Sequence, residues 1–164
     1  MYYQETYKAR EELLELLNNI PQDELHAKKA DNLWTVGQNV EHLYLLENKI
    51  TNSLRKAIAV QNQIEEKELN LAKILANRSY KVVASDDISP SSKPYTKEEL
   101  IILLESSRAN LQSFIMEADD AVLHQYGFNH RWIGDLSAMQ WVQLIGYHER
   151  RHIDQIKETL SIQV

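Results

Sequence analysis

Apolar residues recur at helical spacing over four long stretches of this chain. Residues 2–20 read as a first helix: Tyr3, Tyr7, Leu14 and Leu17 fall near one face, and Leu13 and Ile20 widen it. Pro21 ends it, because proline lacks an N–H and disfavours helix in the residue before it. A second helix starts near Thr35 and repeats Val36, Val40, Leu43, Leu46, Ile50, Leu54 and Ile58, sustained for about six turns. A third starts at Thr96, with a stripe through Leu100, Leu104, Ser107, Leu111, Ile115 and Ala118. The fourth starts at Ser137 and runs Trp141, Ile145, His148, His152, Ile156 and Leu160.

The last three starts share one local signature. Thr35-Val36-Gly37-Gln38, Thr96-Lys97-Glu98-Glu99 and Ser137-Ala138-Met139-Gln140 are capping boxes. In each, a hydroxyl can accept the N–H three residues on, and the Gln or Glu there can reach back to the cap. Between the second and third helices Ile64 to Ala76 could form a shorter helix, and 85–95 reads as an exposed loop rich in Ser, Asp and Pro. The stretch from His124 to Leu136 reads as a turn-rich connection, and no alternation is long enough to predict a sheet. Four amphipathic segments in one domain spanning 1–164 predict an all-α four-helix bundle. The long connection between helices two and three (60–95) allows a crossover and leaves their order open.

Composition narrows the function classes. The 164 residues carry a net charge of −6 and no cysteine. A broad basic surface for nucleic acid is not expected, and thiolate ligands, disulfides and a cysteine nucleophile are excluded. No apolar stretch reaches the roughly 20 residues that span a bilayer. The N-terminus lacks a basic region followed by an apolar run. The expected setting is cytoplasmic, with a small molecule as the partner.

Chemistry enters on helix four. His148 and His152 lie four apart, on one face, where two imidazoles can converge on one ion. Both occupy core-facing positions, where an unpartnered polar group costs about 1–3 kcal/mol. A shared metal meets that need; so do separate bonds to carboxylates or backbone. His42, at the edge of the stripe of helix two, adds a third nitrogen and points to a three-histidine site with open positions. The run from His148 to His152 also matches H-E-x-x-H literally, but no further ligand or substrate-binding strand for a zinc protease is evident. Glu149-Arg150-Arg151-His152 supplies one Glu-x-x-His unit of a di-iron bundle, and no second exists. Glu149 turns about 100° away from His148, so no role as a base is assigned. His26, His124 and His130 read as exposed loop residues. Trp34, Trp132, Trp141 and Tyr147 read as packing residues. Gly146 inside helix four suggests a close helix approach.

Trp34-Thr35-Val36-Gly37-Gln38-Asn39-Val40-Glu41-His42-Leu43 and Tyr147-His148-Glu149-Arg150-Arg151-His152-Ile153-Asp154-Gln155-Ile156 resemble the two histidine motifs of the DinB-like superfamily. Trp132-Ile133-Gly134-Asp135-Leu136-Ser137 resembles its glycine-containing approach to the last helix. The resemblance implies an up-down-down-up bundle, often a homodimer, with a divalent metal held by His42, His148 and His152. Zinc or nickel is the implied ion. Relatives include metal-dependent hydrolases and transferases or isomerases that use a low-molecular-weight thiol. The implied function is therefore a metal-dependent S-transferase or hydrolase, against the alternative of a non-catalytic metal-binding or dimerisation module. The 60–95 connection and residues 120–136 carry no readable substrate signature.

Overall fold

All three capping boxes form as their sequences dictate. The hydroxyls of Thr35, Thr96 and Ser137 accept the N–H groups of Gln38, Glu99 and Gln140, each at 3.1 Å, and those side chains reach back to the cap N–H. The structure is a computed structural model that describes residues 3–77 and 84–163. Its elements are α1 (Gln4–Asn18), α2 (Val36–Ala59), α3 (Leu71–Ala76), α4 (Lys97–Glu117), α5 (Asp120–Gln125), β1 (Gly127–His130), β2 (Gly134–Ser137) and α6 (Ala138–Ser161). The first helix is shorter than 2–20: its last turn closes when the Asn19 and Ile20 N–H groups bond the Leu16 and Leu17 carbonyls, respectively, and Pro21 leads into a short 3-10 turn at Gln22–Glu24. Tyr2 lies outside the described residues.

Side-chain pairs fix the helix directions. Glu47 meets Ser107 and Arg108 while Arg55 meets Glu117, so α2 and α4 run parallel. Thr6 meets Val142 and Arg10 meets Glu149, so α1 and α6 run parallel. Asn39 meets His152, and His42 lies against both His148 and His152, which makes α2 antiparallel to α6. The order is up-down-down-up, and the long connection between α2 and α4 is the crossover that parallel neighbours require.

Two apolar clusters fill the bundle. One gathers Ile50, Leu54, Leu111, Phe114, Leu144 and Ile145. The other gathers Leu13, Leu17, Leu43, Leu104, Ile153 and Ile156. Between them in sequence, on each long helix, stands a buried charge: Arg10, Glu47, Arg108 and Glu149. Arg10 donates to Glu149 Oε1 from Nε (3.0 Å) and Nη2 (2.8 Å), to Glu47 from Nη2 (3.3 Å) and to the Leu104 carbonyl from Nη1 (2.8 Å). Arg108 donates to Glu47 (3.0 Å) and to the Thr6 carbonyl (3.2 Å), and the Ser107 hydroxyl donates to Glu47 (2.6 Å). Two guanidiniums and two carboxylates balance, which offsets part of the large desolvation cost of burying charge.

Two connections differ from the sequence reading. The stretch from His124 to Leu136 holds a short helix, α5, and a β-hairpin in which β1 pairs antiparallel with β2. Its four-residue strands are too short for alternation to show, and Gly127 makes the pairing possible: a Cβ there would lie 1.9 Å from the Leu136 carbonyl oxygen. Helix in the 64–76 stretch is confined to Leu71–Ala76, where the Asn70 side chain caps the Lys73 N–H. Upstream the backbone is diverted: Ile64 N–H bonds the Gln125 carbonyl, and the Lys67 carbonyl accepts from the Gln140 side chain. The expectation for Gly146 holds. A Cβ there would lie 2.6 Å from the Thr6 Cα, so α1 packs directly on it. Among the described residues no helix is long and apolar enough to cross a membrane.

Replacing Arg10 with Met leaves Glu47 and Glu149 buried without their main counter-charge. Urea denaturation is expected to show a loss of about 3–5 kcal/mol, the range for breaking one side of a buried ion pair. A loss under about 1 kcal/mol would contradict the assigned role.

Candidate metal centre

His42, on the second turn of α2, faces His148 and His152 on consecutive turns of α6. One nitrogen from each ring can be chosen so that all three lie within 4.8 Å of one another. The structure therefore brings together the three histidines singled out in the sequence. His42 and His152 are buried, while His148 is half-buried and gives the cluster its exposed side.

The outer bonds fix which nitrogens face inward. His42 Nδ1 lies 2.8 Å from the Ile88 carbonyl, which can only accept, so Nδ1 carries the proton and Nε2 a lone pair. His152 Nδ1 lies 2.8 Å from Asn39 Oδ1. The Asn39 amide nitrogen donates to the Thr35 carbonyl at 3.0 Å, which establishes Oδ1 as the acceptor and His152 Nδ1 as the donor. His148 Nε2 then lies 3.2 Å from His152 Nε2. Converging imidazole nitrogens, two of them oriented by an outer acceptor, could hold a divalent metal ion. The residues fit the group.

Burial sets the protonation state. It pushes the His148 imidazole well below its ordinary value, and the neighbouring His152, His42, Arg151 and His130 act in the same direction. It also lowers His42, against the opposing bond to the Ile88 carbonyl. Neutral rings are the form that binds metal.

The crossover takes part directly. Ile88 ends a 3-10 turn, Asp86–Ile88, which is strapped along α2. Lys49 pairs with Asp87 at 2.8 Å, and buried Glu41 accepts from the Ser91 N–H (3.1 Å) and hydroxyl (2.9 Å). Arg151 donates to the Leu75 and Asn77 carbonyls, which ties the end of α3 to α6 beside His152. The loop expected to be a plain exposed connection thus orients a histidine.

Several other expectations are sharpened. Trp34 packs on the centre: its ring stacks with His152 (6.1 Å, 15°) and tilts against His42 (5.0 Å). Trp141 is buried as expected, whereas Trp132 is 66% exposed. His26 is half-buried and bonded to the Tyr95 carbonyl at 2.7 Å, and His124 pairs with Glu66 at 2.8 Å. His130, read as an exposed loop residue, is half-buried against Trp141 at 5.4 Å. Glu149 is 1% exposed and committed to Arg10, so it serves neither as the base of a protease motif nor as a carboxylate ligand. Burial raises its carboxyl above the usual range, against the pull of Arg10 and Arg108. Asn39 escaped the sequence reading, although its place three residues before His42 puts the two on one face of α2.

A sequence model of the DinB superfamily matches residues 5–156. The uncharacterised protein YuaE of Bacillus subtilis (strain 168) is 29% identical over 157 residues, covering 92% of each chain. Two solved structures share the fold. TT2238, a four-helix bundle protein, aligns with TM-score 0.63 at 22% identity over 96% of both chains. YfiT from Bacillus subtilis, called a probable metal-dependent hydrolase with an unusual four-helix bundle topology, aligns with TM-score 0.63 at 16% identity, over 96% of this chain and 83% of its own.

The depressed histidines make the metal-free protein pH-sensitive. In the unfolded chain these rings protonate near pH 6.5, whereas the folded rings resist protonation to lower pH. Between those values the unfolded state holds more protons, so stability falls as pH drops below about 6.5 and levels off below the folded values. Urea midpoints measured from about pH 7.5 to about pH 5.5 are expected to fall less in His148→Gln than in the parent. Equal slopes would contradict this.

Proposed function

The chain belongs to the DinB superfamily, and we propose that it is a metal-dependent enzyme whose His42, His148 and His152 bind one divalent ion through Nε2. The observation that carries this reading is the inward convergence of three imidazoles, two of them with Nδ1 engaged outward. Zinc or nickel suits neutral imidazole ligands. A divalent ion at this position supplies a Lewis acid that lowers the pKa of a coordinated water or thiol.

The protein's own groups do the rest. Asn39 and the Ile88 carbonyl hold the His152 and His42 rings in the ligating tautomer. Trp34 covers the His42 and His152 rings and excludes water from that side. Half-buried His148 marks the side by which a small molecule approaches. The reaction we assign is hydrolysis of a small ester or amide. The chain has no cysteine, so transfer chemistry at this centre requires a low-molecular-weight thiol from outside. A panel of cellular thiols with electrophiles separates the two reactions. Bound metal without turnover on simple esters and amides or on the thiol panel would reduce the protein to a metal-binding module.

Protein purified without a histidine tag is expected to carry about one equivalent of divalent metal by elemental analysis, and His148→Ala to lose it. Unchanged metal content in that variant would refute the ligand assignment. Asn39→Ala keeps all three ligands but frees the His152 ring. Its zinc affinity by calorimetry is expected to fall about 10–100-fold, the range for losing an outer partner of a metal-bound histidine.

A further inference from the structure

Glu41 is buried, yet among the described residues no Lys, Arg or His pairs with it. Its carboxylate accepts from Ser91 alone: the N–H at 3.1 Å, and the hydroxyl across both oxygens at 2.9 and 3.1 Å. A buried carboxylate is costly unless its oxygens are bonded, so this contact satisfies α2 as well as fastening the crossover. The Gln38 side chain adds a bond to the Ser91 carbonyl at 3.3 Å. Ile88 lies between this clasp and another. Three residues after it is Ser91; one residue before it is Asp87, paired with Lys49 at 2.8 Å. The Lys49 pair is exposed, its side chains at 44% and 58%, and an exposed pair contributes little in water. The Glu41 clasp is buried and charge-assisted, so it is the stronger of the two. Between them the Ile88 carbonyl accepts from His42 Nδ1 at 2.8 Å. One turn of α2 thus holds both the fastener and the ring that the fastened carbonyl orients.

We propose that Glu41 is a positioning residue for the metal centre: by clasping Ser91 it holds the Ile88 carbonyl on His42 Nδ1, and so links docking of the 85–91 strap to binding of a divalent ion at Nε2. This rests on the metal reading above. An imidazole with neither nitrogen engaged passes its proton between the two. Each molecule with that proton on Nε2 is closed to the ion. The docked strap removes this fraction. Linkage makes the effect reciprocal: an ion that prefers docked molecules holds the strap down by the same factor by which docking raises its affinity. Both Glu41 oxygens are engaged with Ser91, so Glu41 acts through the strap and not as a ligand.

The competing account is plain attraction between the Glu41 charge and a cation. Glu41→Gln removes the charge but keeps an oxygen for Ser91; Glu41→Ala removes both; Ser91→Ala keeps the charge and removes the hydroxyl bond. Zn2+ is titrated by calorimetry into the full chain and each variant, and the His42 ring nitrogens are read by 15N NMR in zinc-free protein. Glu41→Ala is expected to bind Zn2+ about tenfold more weakly, the low end of the range for disturbing an outer partner of a metal-bound histidine. Ser91→Ala is expected to lose about threefold, the loss of one of the two donors. Glu41→Gln and the exposed control Lys49→Ala are expected to stay within about twofold of the parent. In zinc-free Glu41→Ala the His42 proton is expected to be shared between Nδ1 and Nε2, where the parent holds it on Nδ1. Saturating Zn2+ is expected to slow hydrogen exchange at the Ser91 amide of the parent by about tenfold. Equal losses in Glu41→Gln and Glu41→Ala would overturn the proposal in favour of charge. Unchanged Zn2+ affinity in Glu41→Ala, or a His42 proton still fixed on Nδ1 there, would also overturn it. If Glu41→Ala does not fold, Ser91→Ala decides, and unchanged affinity in that variant overturns the proposal. Parent protein that takes up no Zn2+ would overturn the metal reading itself, and this proposal with it.

Discussion

Arg10 binds groups on each of the other three long helices at once: Glu47 of α2, the Leu104 carbonyl of α4 and Glu149 of α6. A guanidinium is a planar fork that cannot shed its charge, so burying it demands acceptors in fixed directions. The two carboxylates outweigh the cost of burial and hold Arg10 above its ordinary pKa, although burial itself acts the other way. Apolar packing tolerates small rotations of a helix. This ionic layer does not, because an α6 turned by one residue would leave Glu149 buried and unpaired.

That constraint also sets the angle of the histidines. Glu149 and His148 are adjacent, and adjacent helical residues point about 100° apart. Once Glu149 is aimed at Arg10, His148 and His152 are aimed at α2, where His42 and Asn39 stand. The ionic layer and the imidazole cluster are two faces of one helix at one level of the bundle. The crossover completes the arrangement from outside, since its Ile88 carbonyl decides which nitrogen of His42 faces inward. Parallel α2 and α4 need a long connection, and the bundle puts that length to use over the site.

The parts legible in the sequence were those written in local physics. Helix starts followed from Ser/Thr-x-x-Gln/Glu spacing, and the stripes gave the bundle and placed the three histidines. The hairpin was hidden because its strands are four residues each and its decisive feature is a missing Cβ at Gly127. His130 was misread for the same reason: without the hairpin it sits in an undifferentiated loop. The ionic layer had a signal that passed unnoticed. Arg10, Glu47, Arg108 and Glu149 each fall at a buried position of an otherwise apolar stripe, and charges of balancing sign at such positions imply a partnered layer. What no local pattern encodes is the Ile88 contact, since any residue has a carbonyl and only tertiary structure brings this one to His42.

The pairing of Asn39 with His152 joins positions 113 residues apart. Translation at about 5–20 residues per second separates their synthesis by roughly 6–23 seconds. Through that interval α2 holds half of a cluster whose other half has not been made, with two imidazoles still to come. The three nitrogens can meet only when α6 docks, and docking requires Arg10 to find Glu149. Assembly of the cluster is therefore gated by the arrival of the helix that closes the core. A nascent chain offers no three-histidine trap in which the wrong ion could lodge before folding is complete.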